Sequence, residues 1–207
     1  MSKFFLISRF TVLTVILFAC AAKAEHTDFA IALSAAAIDR TTKNVVYDPA
    51  YVSLNYPMGD VAPTRGVCAD VIIRALRALD IDLQAEVHED MRRAFNAYPM
   101  HWGLSRPDSN IDHRRVPNLE TYFSRLGAKL PTSTDANFFQ PGDIVAWNLK
   151  GKTGGWMPHI GIVTDRRAPS GRRMVAHNIG AGPVLSDVIF DWPITGHYRL
   201  RRELFSP

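Results

Sequence analysis

Gly66-Val67-Cys68-Ala69-Asp70-Val71-Ile72-Ile73-Arg74-Ala75-Leu76-Arg77-Ala78-Leu79 is the stretch on which the fold turns. Cys68, Ile72, Ala75 and Leu79 recur at i, i+4, i+7 and i+11, which sets them on one apolar helical face, with Asp70, Arg74 and Arg77 on another. The spacing predicts a helix that opens on a cysteine and packs against a second layer. Asp70 and Arg74, four residues apart, are spaced as an intrahelical ion pair.

Upstream, Asp28 is placed to cap an Ala/Ile/Leu-rich helix running to about Arg40. Residues 45–57 read as extended, punctuated by Asp48-Pro49 and Tyr56-Pro57. Downstream, a helix is expected over 84–97 with Val87, Met91, Ala94 and Phe95 inward. Another opens at Pro117, a favoured first helical residue, and closes before Gly127. The C-terminal half changes period: 143–149, 159–165, 173–178 and 197–200 read as strands between Gly, Pro and basic turns. Helices first and an antiparallel sheet afterwards give an α+β domain.

The N-terminus reads as an export signal. Lys3 and Arg9 precede the uncharged run from Phe10 to Ala22, and Ala22-Lys23-Ala24 supplies a small-residue cleavage site. Thirteen residues are short for a membrane span. Leu17-Phe18-Ala19-Cys20 approaches a lipoprotein signal, but Phe18 is bulky for that role, so cleavage after residue 24 is the expectation, with no lasting membrane insertion and a periplasmic or secreted domain over 25–207. Lys3, Arg9 and Lys23 leave with the signal, so 21 bases then face 20 acids. That near-neutral balance argues against a nucleic-acid partner, which requires a strongly basic surface. The seven histidines show no close-spaced metal-ligand motif, so neither metal nor cofactor is expected.

After export Cys68 is the only cysteine, so it cannot form an internal disulfide. At the first turn of its helix it meets unsatisfied backbone N–H groups and the positive end of the dipole, which favour a thiolate with a lowered pKa. A base for it is offered by His159, at the start of the apolar strand Met157-Pro158-His159-Ile160-Gly161-Ile162-Val163, with Gly161 leaving room beside the ring. His177 ends the next strand and, in a hairpin, would lie beside His159 and fix its tautomer. Asn178 is the alternative orienter, although strand alternation puts it on the other face. The polar segment Asn110-Ile111-Asp112-His113-Arg114-Arg115 reads as a substrate-recognition loop: Arg114 is suited to a carboxylate, and Asp112 and His113 to reaching the catalytic groups.

Tyr56-Pro57-Met58-Gly59, Gly66-Val67-Cys68, Pro141-Gly142-Asp143-Ile144-Val145, His159-Ile160-Gly161-Ile162 and Val175-Ala176-His177 resemble the NlpC/p60 cell-wall cysteine peptidases. Longer strings, among them the run from Tyr56 to Gln84, that from Tyr98 to Phe123, and His177-Asn178-Ile179-Gly180-Ala181-Gly182-Pro183, resemble the YijF-like domain-of-unknown-function family of exported bacterial proteins. The resemblance implies a papain-like fold and a thiol hydrolase acting on an amide in peptidoglycan stem peptides, as endopeptidase or amidase. Cys68 would then be the nucleophile, His159 the base and His177 its orienter, with the Cys68 N–H and the Tyr56 hydroxyl at the oxyanion. The chain departs from the peptidase pattern in having Val67-Cys68-Ala69-Asp70 for Asp-Cys-Ser-Gly, and the segment from Ile81 to Pro131 lacks a clear equivalent there. A non-catalytic wall- or glycan-binding module and a thiol acyltransferase are the alternatives on the same fold.

Overall fold

The computed structural model describes residues 27–205; the expected export signal and Cys20 lie outside them. Helix α1 covers 27–40, followed by α2 (Cys68–Arg77), α3 (Leu83–Ala94) and α4 (Val116–Arg125). Two-residue strands β1 (Val46–Tyr47) and β2 (Arg65–Gly66) form a parallel pair. A six-stranded antiparallel sheet follows, built of β3 (Lys129–Leu130), β4 (Ile144–Asn148), β5 (Pro158–Arg167), β6 (Arg173–Asn178), β7 (Pro183–Ser186) and β8 (Ile194–Tyr198), in the order β3-β8-β4-β5-β6-β7. The architecture is α+β, as the change of period predicts.

Strand alternation divides the sheet into two apolar surfaces. Ile144, Ala146, Ile160, Ile162 and Ala176 join the core formed with the helices, where Cys68, Ile72, Ala75 and Leu76 of α2 are buried. Val145, Trp147, Val163 and Val175 point the other way, onto Phe139 and Ile189. Both faces being covered explains why β4 is buried at every position, without the polar alternation of a half-exposed strand. Among the described residues no helix is long and apolar enough to cross a membrane.

Several boundaries differ from the sequence reading. Helix α3 ends at Ala94 and tightens into a 3-10 turn over Phe95–Ala97. The last strand is 194–198, not 197–200, and β1, β2, β3 and β7 are too short to carry a periodic signal. The Asp70–Arg74 pair does not form. Arg74 instead binds Asp60 (Nε to Oδ2 3.0 Å), and Asp70 turns inward to Arg114. A helix surface offers only a weak i,i+4 contact in water, whereas Asp70 inside the protein requires a full set of donors.

Candidate active site

The backbone N–H of Val67, the residue capping α2, donates to Asp70 Oδ2 at 2.6 Å. Val67 has no side-chain acceptor to return the bond, so this is the reciprocal half of a capping box alone. Arg114 closes on the same carboxylate with two bonds, Nε to Oδ1 at 3.0 Å and Nη2 to Oδ2 at 2.9 Å. The Gly66 carbonyl accepts from Asp48 N–H at 3.1 Å and from Asn178 Nδ2 at 3.2 Å. Three chain segments thus fix the turn that delivers Cys68.

Cys68 is 5 % exposed, and the backbone N–H groups of Ile160 and Ala69 lie near enough to its sulfur to favour the thiolate. Burial overrides those donors and the helix dipole, pushing the thiol up to about 11. The lowered thiol pKa expected from the helix terminus is therefore corrected: the amides weaken the effect of desolvation without reversing it, and the Asp70 charge works in the same direction as burial.

The sulfur lies on the Ile160 side of β5. His159 Nε2 lies 2.9 Å from His177 Nδ1, the rings meeting nearly edge-on at 80°. The structure does not bring His159 to the thiol: Cys68 packs with Ile160 on the helix side of the sheet, and alternation turns His159 and His177 to the other side with Trp147. The pair sits on the sheet face away from the helices, where Trp147 stacks on His159 at 5.9 Å and Trp192 stands edge-on to both rings. Burial in this aromatic box lowers His159 to about 3 and His177 to about 4, so both are neutral near pH 7. Gly161 makes the pairing possible. A Cβ there would lie 2.7 Å from Val175 Cγ1 and 3.0 Å from His177 Cβ.

A cavity of about 220 Å3 opens on Cys68, walled by residues including Tyr47, Pro49, Trp102, Arg114, Arg115 and Pro158. Tyr47 escaped the sequence reading. The β1–β2 register sets it opposite Gly66, and its hydroxyl pKa is raised by burial and by the proximity of Cys68 and Asp70. Its only local signal is membership of an extended stretch, because a two-residue strand shows no alternation.

The other expected site residues are placed elsewhere. Tyr56 is corrected: Met58 N–H donates to Asp82 and Gly59 N–H to Gln84, which pins its loop on α3, and its hydroxyl donates to Glu89 at 2.8 Å. Asp112 is also corrected, since its carboxylate accepts from Asp108 N–H at 2.6 Å and from Arg115 at 2.8 Å, inside the 3-10 turn Asp112–Arg114. His113 is buried off the cavity, facing the charges of Arg77, Asp82 and Asp60, and burial lowers it to about 4. Arg114 does wall the cavity, but two of its nitrogens are taken by Asp70, so it is not free to grip a substrate carboxylate. Asn178 supports the Gly66 carbonyl and does not touch His159. Among the described residues no group of three His, Cys, Asp or Glu side chains is placed to hold a metal ion.

A family model described as "Domain of unknown function (DUF1287)" matches residues 34–200. "Uncharacterized protein YijF" of Escherichia coli (strain K12) is 53 % identical over 169 residues, covering 82 % of this chain and 80 % of that protein. Two crystal structures of an N-acetylmuramoyl-L-alanine amidase from Bacteroides uniformis ATCC 8492 are similar in fold, with TM-scores of 0.54 and 0.52. Each is 12 % identical and covers 84 % of this chain and 100 % of the amidase chain. At that identity the likeness concerns the fold alone.

Proposed function

The chain belongs to the DUF1287 family, and from that premise we propose that it is an exported thiol hydrolase of the papain-like, NlpC/p60 type, cleaving an amide in peptidoglycan stem peptides. One observation carries the reading: Cys68 opens a helix on the wall of a cavity of peptide-residue size, its sulfur near the backbone amides of Ile160 and Ala69. The amidase-like fold and the peptidase-like order of cysteine, histidine and third polar residue support it. The basic and apolar leader of residues 1–24 supports export to the compartment that holds the wall.

In this mechanism the His159 ring, which rests against Trp147 on the far side of the sheet, has to turn to the Cys68 side of its strand to serve as the base. Sγ attacks the amide carbon while the thiol proton passes to the turned His159 imidazole. The Cys68 N–H and the Tyr47 hydroxyl face the oxyanion. Collapse breaks the C–N bond, and the imidazolium protonates the departing amine. Water then attacks the thioester, giving one proton to His159, and the C–S bond breaks to release the acid and restore the thiol. Because thiol and imidazole are both neutral at rest, proton transfer accompanies attack and does not precede it.

Cys68→Ala is expected to lower release of fragments from purified peptidoglycan by at least about 10³-fold, the scale seen when a nucleophile is removed. Equal digestion by the variant and the parent would discard the mechanism. A neutral, buried thiol also favours a second reading, a wall-binding module that does no chemistry. In either case iodoacetamide alkylation of the resting protein should keep rising with pH toward about 11, followed by mass spectrometry of the Cys68 peptide. A plateau below pH 8.5 would show instead a thiolate–imidazolium pair already present at rest.

A further inference from the structure

The cavity at Cys68 holds two cationic side chains and no carboxylate among its lining residues. The two arginines are not equivalent. Arg114 has its Nε and Nη2 bound to Asp70, its Nη1 is 3.5 Å from the Ala50 carbonyl, and its side chain is 2 % exposed. It is a structural ion pair. Arg115 gives a single nitrogen, Nη1, to Asp112 at 2.8 Å and retains 16 % side-chain exposure. Its guanidinium carbon lies 4.1 Å from the centroid of the Trp102 ring, so the planar group is held flat against an aromatic face.

That arrangement prepares an anion-binding edge. Nε and Nη2 of Arg115 bond to no other side chain or backbone group among the described residues. A guanidinium already immobilised by stacking loses little further freedom on binding, and its geometry matches a carboxylate with two parallel bonds. The surrounding wall is mainly apolar, from Val67, Ile111, Val116, Pro117 and Pro158, which strengthens an ion pair relative to water. At about 220 Å3 the space is below that of a drug-sized site and suits a single residue of a peptide.

We propose that Arg115, braced by Trp102, is a specificity-determining residue that binds a free carboxylate of an acidic peptide beside the bond presented to Cys68. The inference rests on the hydrolase reading for the fate of that bond, but not for the binding itself. It is therefore tested on the Cys68→Ala protein, which holds the ligand without turnover. The probes are a synthetic stem tetrapeptide with free carboxylates and the same peptide with every carboxylate converted to a carboxamide, each titrated calorimetrically. The free acid should bind at least about tenfold more tightly than the amide, the scale of a charge-assisted bidentate contact. In Cys68→Ala/Arg115→Gln the preference should fall to about one. Glutamine keeps a donor for Asp112, and a ratio of two ligands on one preparation is insensitive to any unfolded fraction. A ratio near one in the Cys68→Ala protein, or a preference unchanged by Arg115→Gln, overturns the proposal. Failure of the hydrolase reading shows separately, as wall digestion that does not depend on Cys68.

Discussion

Arg114→Ala is expected to lower the unfolding free energy by about 3–5 kcal/mol, the cost of leaving a buried charge without its partner. Asp70 and Arg114 have side chains 4 % and 2 % exposed, and the pair has two short bonds plus the Val67 amide on the same carboxylate. Removing the guanidinium leaves a carboxylate inside the protein with one backbone donor. The loss also bears on the site, because the pair joins the 3-10 turn Asp112–Arg114 to the residue that caps α2 one position before Cys68. Asp70→Asn should be milder than Asp70→Ala, since its side-chain oxygen can still accept from Val67. Urea denaturation of the two single variants and the double variant gives the coupling energy. A cost below about 1 kcal/mol for Arg114→Ala, the value of an exposed pair, would show that the bridge does not hold the site together.

The second large effect is acid lability. His113, His159 and His177 are held neutral by burial at about 4, 3 and 4, against an ordinary value of 6.5. The unfolded chain takes up these protons as pH falls below 6.5, while the native protein does not until pH 3–4. Stability is thus fully present above pH 6.5 and lost on acidification, by about 1.4 kcal/mol per pH unit for each histidine. At pH 5 this amounts to roughly 2 kcal/mol per histidine, an upper bound of about 6 for the three, or a drop in melting temperature of about 10–20 °C for a chain of this size. Asp112 and Glu120, whose values are raised by burial, oppose the loss as they bind protons in the native state. Calorimetry at pH 7 and pH 5 measures the difference. His113 lies outside the cavity, so His113→Gln should remove about a third of the pH 7-to-5 slope without altering the thiol. Melting temperatures within about 2 °C of each other at the two pH values would contradict the assigned burial.

The parts of this structure that were legible in the sequence are those encoded by short-range period. The apolar stripe of α2 put Cys68 toward the sheet, and two strands separated by a basic turn put His159 beside His177. What misled was local electrostatics. The four-residue spacing of Asp70 and Arg74 is real, but a partner 44 residues away forms a buried, two-bond contact that a surface pair cannot match. The basic dipeptide at 114–115 promised a carboxylate grip without showing which member is consumed by the fold. Adjacent residues leaving a 3-10 turn take different directions, and only the tertiary structure sends Arg114 inward and Arg115 onto Trp102. Tyr56 and Tyr47 exchange places for a similar reason: each lies in irregular chain, whose course is set by backbone amides docking on distant side chains such as Asp82 and Gln84.

Gly161 gives a way to sort proteins by reading one letter. Its position beside the imidazole pair leaves no room for a side chain unless β6 shifts, since Val175 and the strand β6 backbone fill the space. A chain that aligns with this one and carries any larger residue there has either spread the two histidines apart or lost the hairpin register that joins them. Where both histidines remain but position 161 is bulky, the sequence still spells the dyad while the geometry has gone. Such a chain would be a natural control, matched in fold and composition, for deciding which properties of the site depend on the contact between its histidines.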